Sequence, residues 1–501
     1  IVSFGDAISF KELRTQKYRL KTFFSGWVAG EAITEGQVDL IPSRFAQIPG
    51  LVESGRIPID ASFVQITPPD AAGNCSLGVA VDVARQAMER SSLVVGEINT
   101  HIPRTYGDTF VHISDFNYLV QATALPFYYR RWQIDAAYNR LAANVASLIE
   151  DGSCIAFSIG PLYEALSVNL VNKHHLGIHS PFFTDALMDL VRSGAVTNRY
   201  KETYRGKALT SYAIGTPQLM LWLDSNPLVE FQGIDKVFDP LQIGRNPRFM
   251  AILPARKVDL AGRIALQIGK GNIATGAAEV RDFFAGAEIS AHGRLMFALP
   301  SRNREGRPNI LLTARDFPNQ CRLRESVDMV ITDYGIANLK GLTLRERAMA
   351  LIEVAHPDDR SELIDQAKAA NILYHDQIYR QDSAHLYPAD LKTEHTFKGN
   401  VSIRFRPIKS SDEQEMRRLF YRFSNESVYA RYFGHISAMP HAKMQEYVNV
   451  EWRDTLSIVG LVGNPGQGRI VAEARYIIER NRPYAEVVFI VDEKYQGLGV
   501  G

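Results

Sequence analysis

Cysteine is scarce in this chain. There are three in 501 residues (Cys75, Cys154 and Cys321), far apart and odd in number. That excludes a disulfide framework and points to a reducing, cytoplasmic setting. No pair has Cys-x-x-Cys spacing, which argues against a structural zinc site. His174, His175 and His179 come close in sequence, but Gly177 interrupts them and no further ligand is in view, so no metal is expected. No run approaches the ~18 apolar residues of a membrane span. The net charge is +1, so there is no basic field for nucleic acid or an anionic membrane surface. Lys340-Gly341 lacks the upstream glycine of a Walker loop, which argues against an ATP site. The chain starts at Ile1 without Met or signal peptide, so a truncated or processed start is expected.

Apolar residues make up 46% and charged residues 22%, the balance of a soluble globular protein. The length suits about three domains. Up to about residue 170, short apolar runs alternate with amphipathic stretches. Ala61 to Thr67, Ser92 to Ile98 and Cys154 to Ile159 read as strands, and Ser76 to Met88 as a strand passing into a helix. Ile134 to Ile149 has helical spacing and ends at the turn signal Asp151-Gly152. A second block, about 175 to 385, has strands at Ala208–Ile214, Met250–Leu253, Arg294–Leu299 and Met329–Thr332, and a helix at Leu344–Glu353. This alternation predicts mainly parallel sheets covered by helices. Loosely patterned residues from about 382 to 400 read as a linker.

The end of the chain is distinctive. Glu486 to Val491 is an apolar run that reads as a buried strand, and Gln496-Gly497-Leu498-Gly499-Val500-Gly501 follows it. A strand feeding a glycine-rich turn exposes successive backbone N–H groups, which suit a pyrophosphate.

Several stretches together resemble the acetyl-CoA hydrolase/transferase family, the class I CoA-transferases built from two related α/β halves. They are Ile66-Thr-Pro-Pro-Asp70 with Cys75-Ser-Leu-Gly78, Gly96-Glu-Ile-Asn99 with Pro103 to Asp108, Gly177-Ile-His179, Asp189 to Gly194, Thr332 to Gly341, and Leu344 to Arg347 with Ala355 to Asp358. The resemblance covers about residues 20 to 385. It implies a glutamate that attacks an acyl-CoA carbonyl, forms an anhydride and then an enzyme–CoA thioester, and passes CoA to a carboxylate or to water. A carboxylate is a nucleophile at neutral pH without a base. Backbone N–H groups of glycine-rich loops would hold the oxyanion.

The match is imperfect at the positions that carry chemistry. Where the family has Val-Glu-Tyr-Val-Asn-Asp-Pro, this chain has Ile234-Asp235-Lys236-Val237-Phe238-Asp239-Pro240. Asp235 therefore stands for the glutamate, with its carboxylate withdrawn by roughly 1.5 Å. A misplacement of about that size costs about 10²-fold in rate. The family's Gly-Val-Gly-Gly-Gln-x-Asp-Phe loop is Gly276-Ala277-Ala278-Glu279-Val280-Arg281-Asp282-Phe283, with Glu279 a second candidate carboxylate. The Gly-Ile-Gly-x-x-Pro loop appears as Ser158-Ile159-Gly160-Pro161, and the last glutamate of Gly-Ile-His-Thr-Glu is Pro181. The resemblance implies an acyl-CoA cleft near Asp235, Gly276 and Gly160, with His179 lining it.

The C-terminal block resembles a GNAT acetyltransferase of the protein-lysine-modifying kind. Ile403 to Asp412 and Phe423 to Phe433 match its start, and Gln496, Gly497, Gly499 and Gly501 match its pyrophosphate loop. Glu486 falls at the general-base position. The later part of such a domain is not in the sequence, so efficient acetylation is not expected of it. The expected organisation is therefore α/β: CoA-transferase-like (NagB-like) domains at 1–172 and 173–385, a linker at 386–400, and a partial GNAT α+β domain at 401–501.

Two functional readings follow. One is an acyl-CoA hydrolase or CoA-transferase that takes acetyl-CoA and a small carboxylate. The other is a catalytically weakened acyl-CoA-binding module that controls a GNAT acting on protein lysines. Neither the acyl chain, the acceptor acid nor the lysine substrate is readable. Folds of this kind often pair, so a homodimer is an expectation without a readable interface.

Overall fold

A computed structural model describes residues 19–23, 32–33, 35–267, 280–317, 319–321, 324–379, 391–432, 438–450, 454–463, 468–478 and 484–501. They group into two compact units. The first holds the residues up to 257 together with 263–300 and 314–333, and the second holds 258–262, 301–313 and 334–501. The expected division at 172 and 385 was drawn on motifs and stays an expectation.

The first unit is α/β, as the strand–helix alternation predicts. A parallel sheet runs in the order Gly177–Ile178, Cys154–Ala156, Phe249–Pro254, Arg294–Ala298 and Met329–Thr332. Every residue of these strands is buried except Pro254. Continuous burial needs cover on both faces. The helix Val280–Ile289 packs against Phe249–Pro254 and Arg294–Ala298, and Ala136–Ala146 against Met329–Thr332. Asn144 reinforces the second contact by donating to the Thr332 carbonyl at 2.8 Å. Asp135 caps the helix Ala136–Ala146 through the Tyr138 amide.

Two smaller parallel groups adjoin this sheet in sequence. Ala61–Ile66, Leu93–Ile98 and Tyr118–Gln121 form one. Ala208–Thr210, Val229–Phe231 and Tyr106–Gly107 form the other. The last pairing depends on glycine: a Cβ on Gly107 would lie 2.0 Å from the Phe231 carbonyl oxygen, at a φ of +117°. A short parallel pair, Phe182–Phe183 with Tyr212–Ala213, lies between them in sequence.

The second unit carries the helices Leu344–Glu353 and Pro357–Ala369, the first started by a Thr343/Glu346 capping box. It also holds an antiparallel sheet in the order Thr393–Phe397, Val401–Pro407, Thr455–Val462, Arg469–Ile478 and Ala485–Val491. Its core gathers Ile408, Met416, Leu419, Met444, Val459 and Ile470. Thr393–Phe397 falls in the stretch read as a linker and is a strand. Ala485–Val491 is an edge strand, not the buried one its apolar run suggested. Among the described residues it pairs on one side only, and Val487 and Phe489 are exposed. Periodicity alone does not separate buried from edge runs.

Candidate active site

Three strand-to-helix turns of the first unit open onto one cleft. After Cys154–Ala156 the chain turns at Gly160, whose φ of +138° suits glycine, into the helix Pro161–Asn169. After Phe182–Phe183 it turns at Thr184 into Asp185–Arg192. After Tyr212–Ala213 it turns at Gly215 and Thr216 into Pro217–Leu223. Residues of all three turns line one small cleft, together with Tyr129, Arg130, Arg131 and Trp132. Crevices at the carboxyl ends of parallel strands are where open α/β folds take ligands.

The acids of this cleft are occupied. Arg131 donates to Glu164 Oε2 from Nε (3.0 Å) and Nη2 (2.7 Å), and also pairs with Asp189 at 2.7 Å. Burial pushes the Glu164 carboxyl up, against the pull of Arg131. Asp185 accepts from the Thr216 amide (3.0 Å) and hydroxyl (2.5 Å). Gly215 permits this approach, since a Cβ there would sit 2.2 Å from Asp185 Oδ2.

Asp235 is elsewhere in the unit and does not line this cleft. The single cleft expected around Asp235, Gly276 and Gly160 stays an expectation, since Asp235 is not among the residues that line this one. Gly276 and Glu279 lie outside the described residues. Asp235 sits in the short helix Ile234–Val237, just after the strand Val229–Phe231. Its Oδ1 is buried, has no hydrogen-bond partner among the described residues, and leans over Gly233, 2.5 Å from where a Cβ would be. The Phe238 position, polar in the family motif, is filled by an aromatic packed edge-on to Phe45 and Phe283.

Sequence reasoning missed Glu230, a carboxylate on the strand that leads to Asp235. It accepts from Lys207 Nζ at 2.7 Å and Gln232 Nε2 at 2.8 Å. Gln232 in turn accepts from Lys236 Nζ at 3.0 Å, and Lys236 lies 3.6 Å from Asp108. Burial raises the Tyr204 phenol, and the charges of Glu230, Asp235 and Asp108 raise it further, so these carboxylates gather about one hydroxyl. A glutamate between Val229 and Phe231 in an apolar run was the available signal.

His179 does not face a ligand. It is fully buried, and both ring nitrogens are engaged, so its role as a lining residue is corrected to an internal brace.

In the second unit, Glu486 is exposed on the edge strand, opposite Ile477. Gly497 and Gly499 adopt φ of +75° and +88° in an open turn, with Gln496 Nε2 donating to the Val491 carbonyl at 3.0 Å. Asp492 anchors the turn. Burial works to raise its carboxyl, but the Lys494 amide and the Arg469 and Arg422 guanidiniums outweigh it and hold it low. Gly501 is exposed at the end of this turn. Among the described residues, no group of His, Cys, Asp or Glu is arranged to hold a metal ion, and no helix is long and apolar enough to cross a membrane.

The fold and the motif positions define an α/β protein of the CoA-transferase class. Family models described as acetyl-CoA hydrolase/transferase N-terminal and C-terminal domains match residues 9–127 and 215–367. The chain belongs to the acetyl-CoA hydrolase/transferase family, whose members take CoA thioesters as substrates. It is 35% identical over 370 residues to the 4-hydroxybutyrate coenzyme A transferase of Clostridium kluyveri, covering 74% of this chain and 86% of that protein. The crystal structure of RipA from Yersinia pestis superposes with a TM-score of 0.65 at 29% identity, over 71% of this chain and 82% of RipA. A weaker likeness concerns the C-terminal region. Over 98 residues the chain is 24% identical to the Pseudomonas aeruginosa protein named Acetyltransferase PA5475, covering 20% of this chain and 53% of that protein.

Proposed function

We propose that the chain transfers CoA from a short acyl-CoA, acetyl-CoA first among them, to a small carboxylate or to water, with Asp235 as the nucleophile. The observation that carries this reading is the buried Asp235 Oδ1, without a hydrogen-bond partner among the described residues, in a turn within the region matched by the family's C-terminal domain. An ionised oxygen without a hydrogen bond is more reactive than a solvated one. Asp235 would attack the thioester carbonyl and expel CoA thiolate, leaving a mixed anhydride. The thiolate would then attack the aspartyl carbonyl, release the acyl group as a carboxylate and form an enzyme–CoA thioester. An acceptor carboxylate attacks that thioester, and the thiolate it frees takes the new acyl group from the resulting anhydride. Water at the same step gives hydrolysis. Both routes regenerate Asp235.

A second reading is acyl-CoA binding without turnover, in a module that governs the GNAT-like region. It is supported by the way both carboxylates of this segment turn inward, Glu230 held by Lys207 and Gln232 and Asp235 folded over Gly233. The open turn Gln496–Gly501 would offer backbone N–H groups to a CoA pyrophosphate, and the exposure of Glu486 supports a role for it as a base toward a substrate amine. The free, buried thiols of Cys75 and Cys154 support a cytoplasmic setting.

Acetyl-CoA turnover separates the readings, followed by free-thiol release and by acetate-dependent CoA exchange. Wild type is compared with Asp235→Ala, Asp235→Glu and Glu230→Gln. Loss of turnover in Asp235→Ala and a gain in Asp235→Glu support transfer through Asp235. Loss in Glu230→Gln alone moves the nucleophile to Glu230. Binding of acetyl-CoA with no turnover in wild type leaves the second reading.

A further inference from the structure

We propose that Lys201 is a positioning residue for CoA transfer: from inside the fold, its ammonium fastens the two segments that present Asp235 and Glu230. Its effect on the reaction rests on the transfer reading above; the fastening itself does not.

A lysine carries a compact, strongly hydrated charge and is seldom fully buried. Lys201 is 1% exposed. Its stem passes over Gly177, where a Cβ would lie 2.7 Å from Cγ and 3.1 Å from Cδ, so only glycine leaves it room. The ammonium donates to the Ile178 and Lys207 carbonyls, both at 2.7 Å, and forms no ion pair among the described residues. A methionine would fill the same space without the cost of desolvating a charge. What the charge does there follows from the two carbonyls it binds.

Each carbonyl begins a short path to a candidate nucleophile. Ile178 is followed by His179, whose Nε2 donates to the Val237 carbonyl at 2.7 Å, at the end of the helix Ile234–Val237 that carries Asp235. Lys207 precedes the strand Ala208–Thr210, which pairs with Val229–Phe231, and its own Nζ donates to Glu230 Oε2 at 2.7 Å. One buried cation thereby ties the brace behind Asp235 to the lysine that holds Glu230. A neutral amine would still reach both carbonyls, but bonds from an ionised donor are about twice as strong.

The clamp is at full strength only while it is protonated. Burial pushes the Lys201 ammonium down to about 8, with Cys154 and Glu230 opposing. The groups that face it are the Cys154 thiol, the His179 imidazole and the Glu230 carboxylate with its partner Lys207. Burial pushes the thiol up to about 12 and the imidazole down to about 3, so both stay neutral around the point where Lys201 loses its proton.

The test is acetate-dependent CoA exchange on wild type, Lys201→Met and Gly177→Ala, read as kcat and KM between about pH 6.5 and 9.5. Gly177→Ala keeps the ammonium in the protein and displaces its stem. Both variants are expected to lose about 10²-fold in kcat with the acetyl-CoA KM within about twofold, because placement and not binding is disturbed. Wild-type kcat is expected to fall as pH rises through about 8, and Lys201→Met to lack that limb. Amide hydrogen exchange is expected to quicken at residues 207–210 and 234–238 in both variants and to stay unchanged at 294–298. Unchanged kcat in both variants overturns the inference, as does the same alkaline limb in Lys201→Met. Loss of protection at 294–298 as well overturns it too, since Lys201 then supports the whole sheet and not the two segments. If wild type itself shows no exchange, the transfer reading falls and the amide pattern alone decides: quickening confined to the two segments keeps the fastening, and unchanged protection there removes it.

Discussion

His179 Nε2 donates to the Val237 carbonyl at 2.7 Å, across 58 residues of sequence. The carbonyl only accepts, so the proton is on Nε2, and Nδ1 accepts from Asn246 Nδ2 at 3.2 Å. Asn246 continues the brace to Thr203 at 3.0 Å. The short helix that presents Asp235 is thereby tied to the end of the Gly177–Ile178 strand. A histidine in a motif expected to touch ligand instead fixes the backbone of the segment that carries the candidate nucleophile.

Replacing His179 by Phe removes the donor to the Val237 carbonyl, while Asn246 Nδ2 keeps its bonds to Thr203 and Gln242. The expected loss is about 1–3 kcal/mol at pH 7.5. Burial pushes the His179 imidazole down to about 3, with the Lys201 charge adding to the shift and the Val237 bond opposing it. The unfolded chain takes up a proton near the ordinary histidine pKa, about 6.5, while the folded chain does not. The stability tied to neutral His179 is therefore complete above about 6.5 and falls as pH drops toward 3, at about 1.4 kcal/mol per pH unit. Chemical denaturation at pH 7.5 and pH 5 checks this. The advantage of wild type over His179→Phe is expected to shrink by roughly 2 kcal/mol between them, and a pH-independent difference rules it out.

Cys154 is expected to be inert in the native protein. It is 2% exposed, and burial pushes its thiol up to about 12 against the opposing charge of Lys201. Only the thiolate reacts, and at pH 8 that is roughly one molecule in 10,000. Cys75 is fully buried, and burial raises its thiol as well. Peptide mapping after brief alkylation at pH 8 is expected to find both unmodified, and both modified after unfolding. Labelling of Cys154 at the rate of the unfolded chain would show that its strand opens readily.

The strand–helix alternation was legible because the core strands are short apolar runs bounded by turn residues. Phe249–Pro254 and Met329–Thr332 were both placed within a residue or two. Pairings that join distant stretches left little local trace. Tyr106–Gly107 is two residues long, and its place beside Val229–Phe231 rests on the missing Cβ of Gly107. Lys201 lies in the polar stretch Asn198 to Glu202, yet it is 1% exposed, because Ile178 and Lys207 offer their carbonyls at 2.7 Å. Of the site, Gly160 was readable from its strand–turn–helix context. The pairing of Glu230 with Lys207 was not, because Lys207 lies 23 residues away in sequence.

The antiparallel sheet of the second unit contains a buried ion pair that offers a direct energetic test. Glu473 and Arg475 are 4% and 7% exposed, on one strand two residues apart and therefore on the same face. Arg475 Nε donates to Glu473 Oε1 at 2.9 Å, and Ser457 and Tyr447 hydroxyls donate to the same carboxylate, both at 2.6 Å. Arg475 also donates to the Tyr447 carbonyl at 2.7 Å and lies 3.5 Å above its ring. Three donors supply the carboxylate, only one of them charged, so removing either charge leaves the other buried and uncompensated. Glu473→Met and Arg475→Met are each expected to destabilise by about 3–5 kcal/mol, whereas the double variant loses less than either single one, since no lone charge remains. Amide hydrogen exchange across residues 469–478 reads the local stability directly. Additive losses in the double variant would mean that the two side chains stabilise the sheet separately, through Tyr447 packing and the Ser457 bond, and not as a pair.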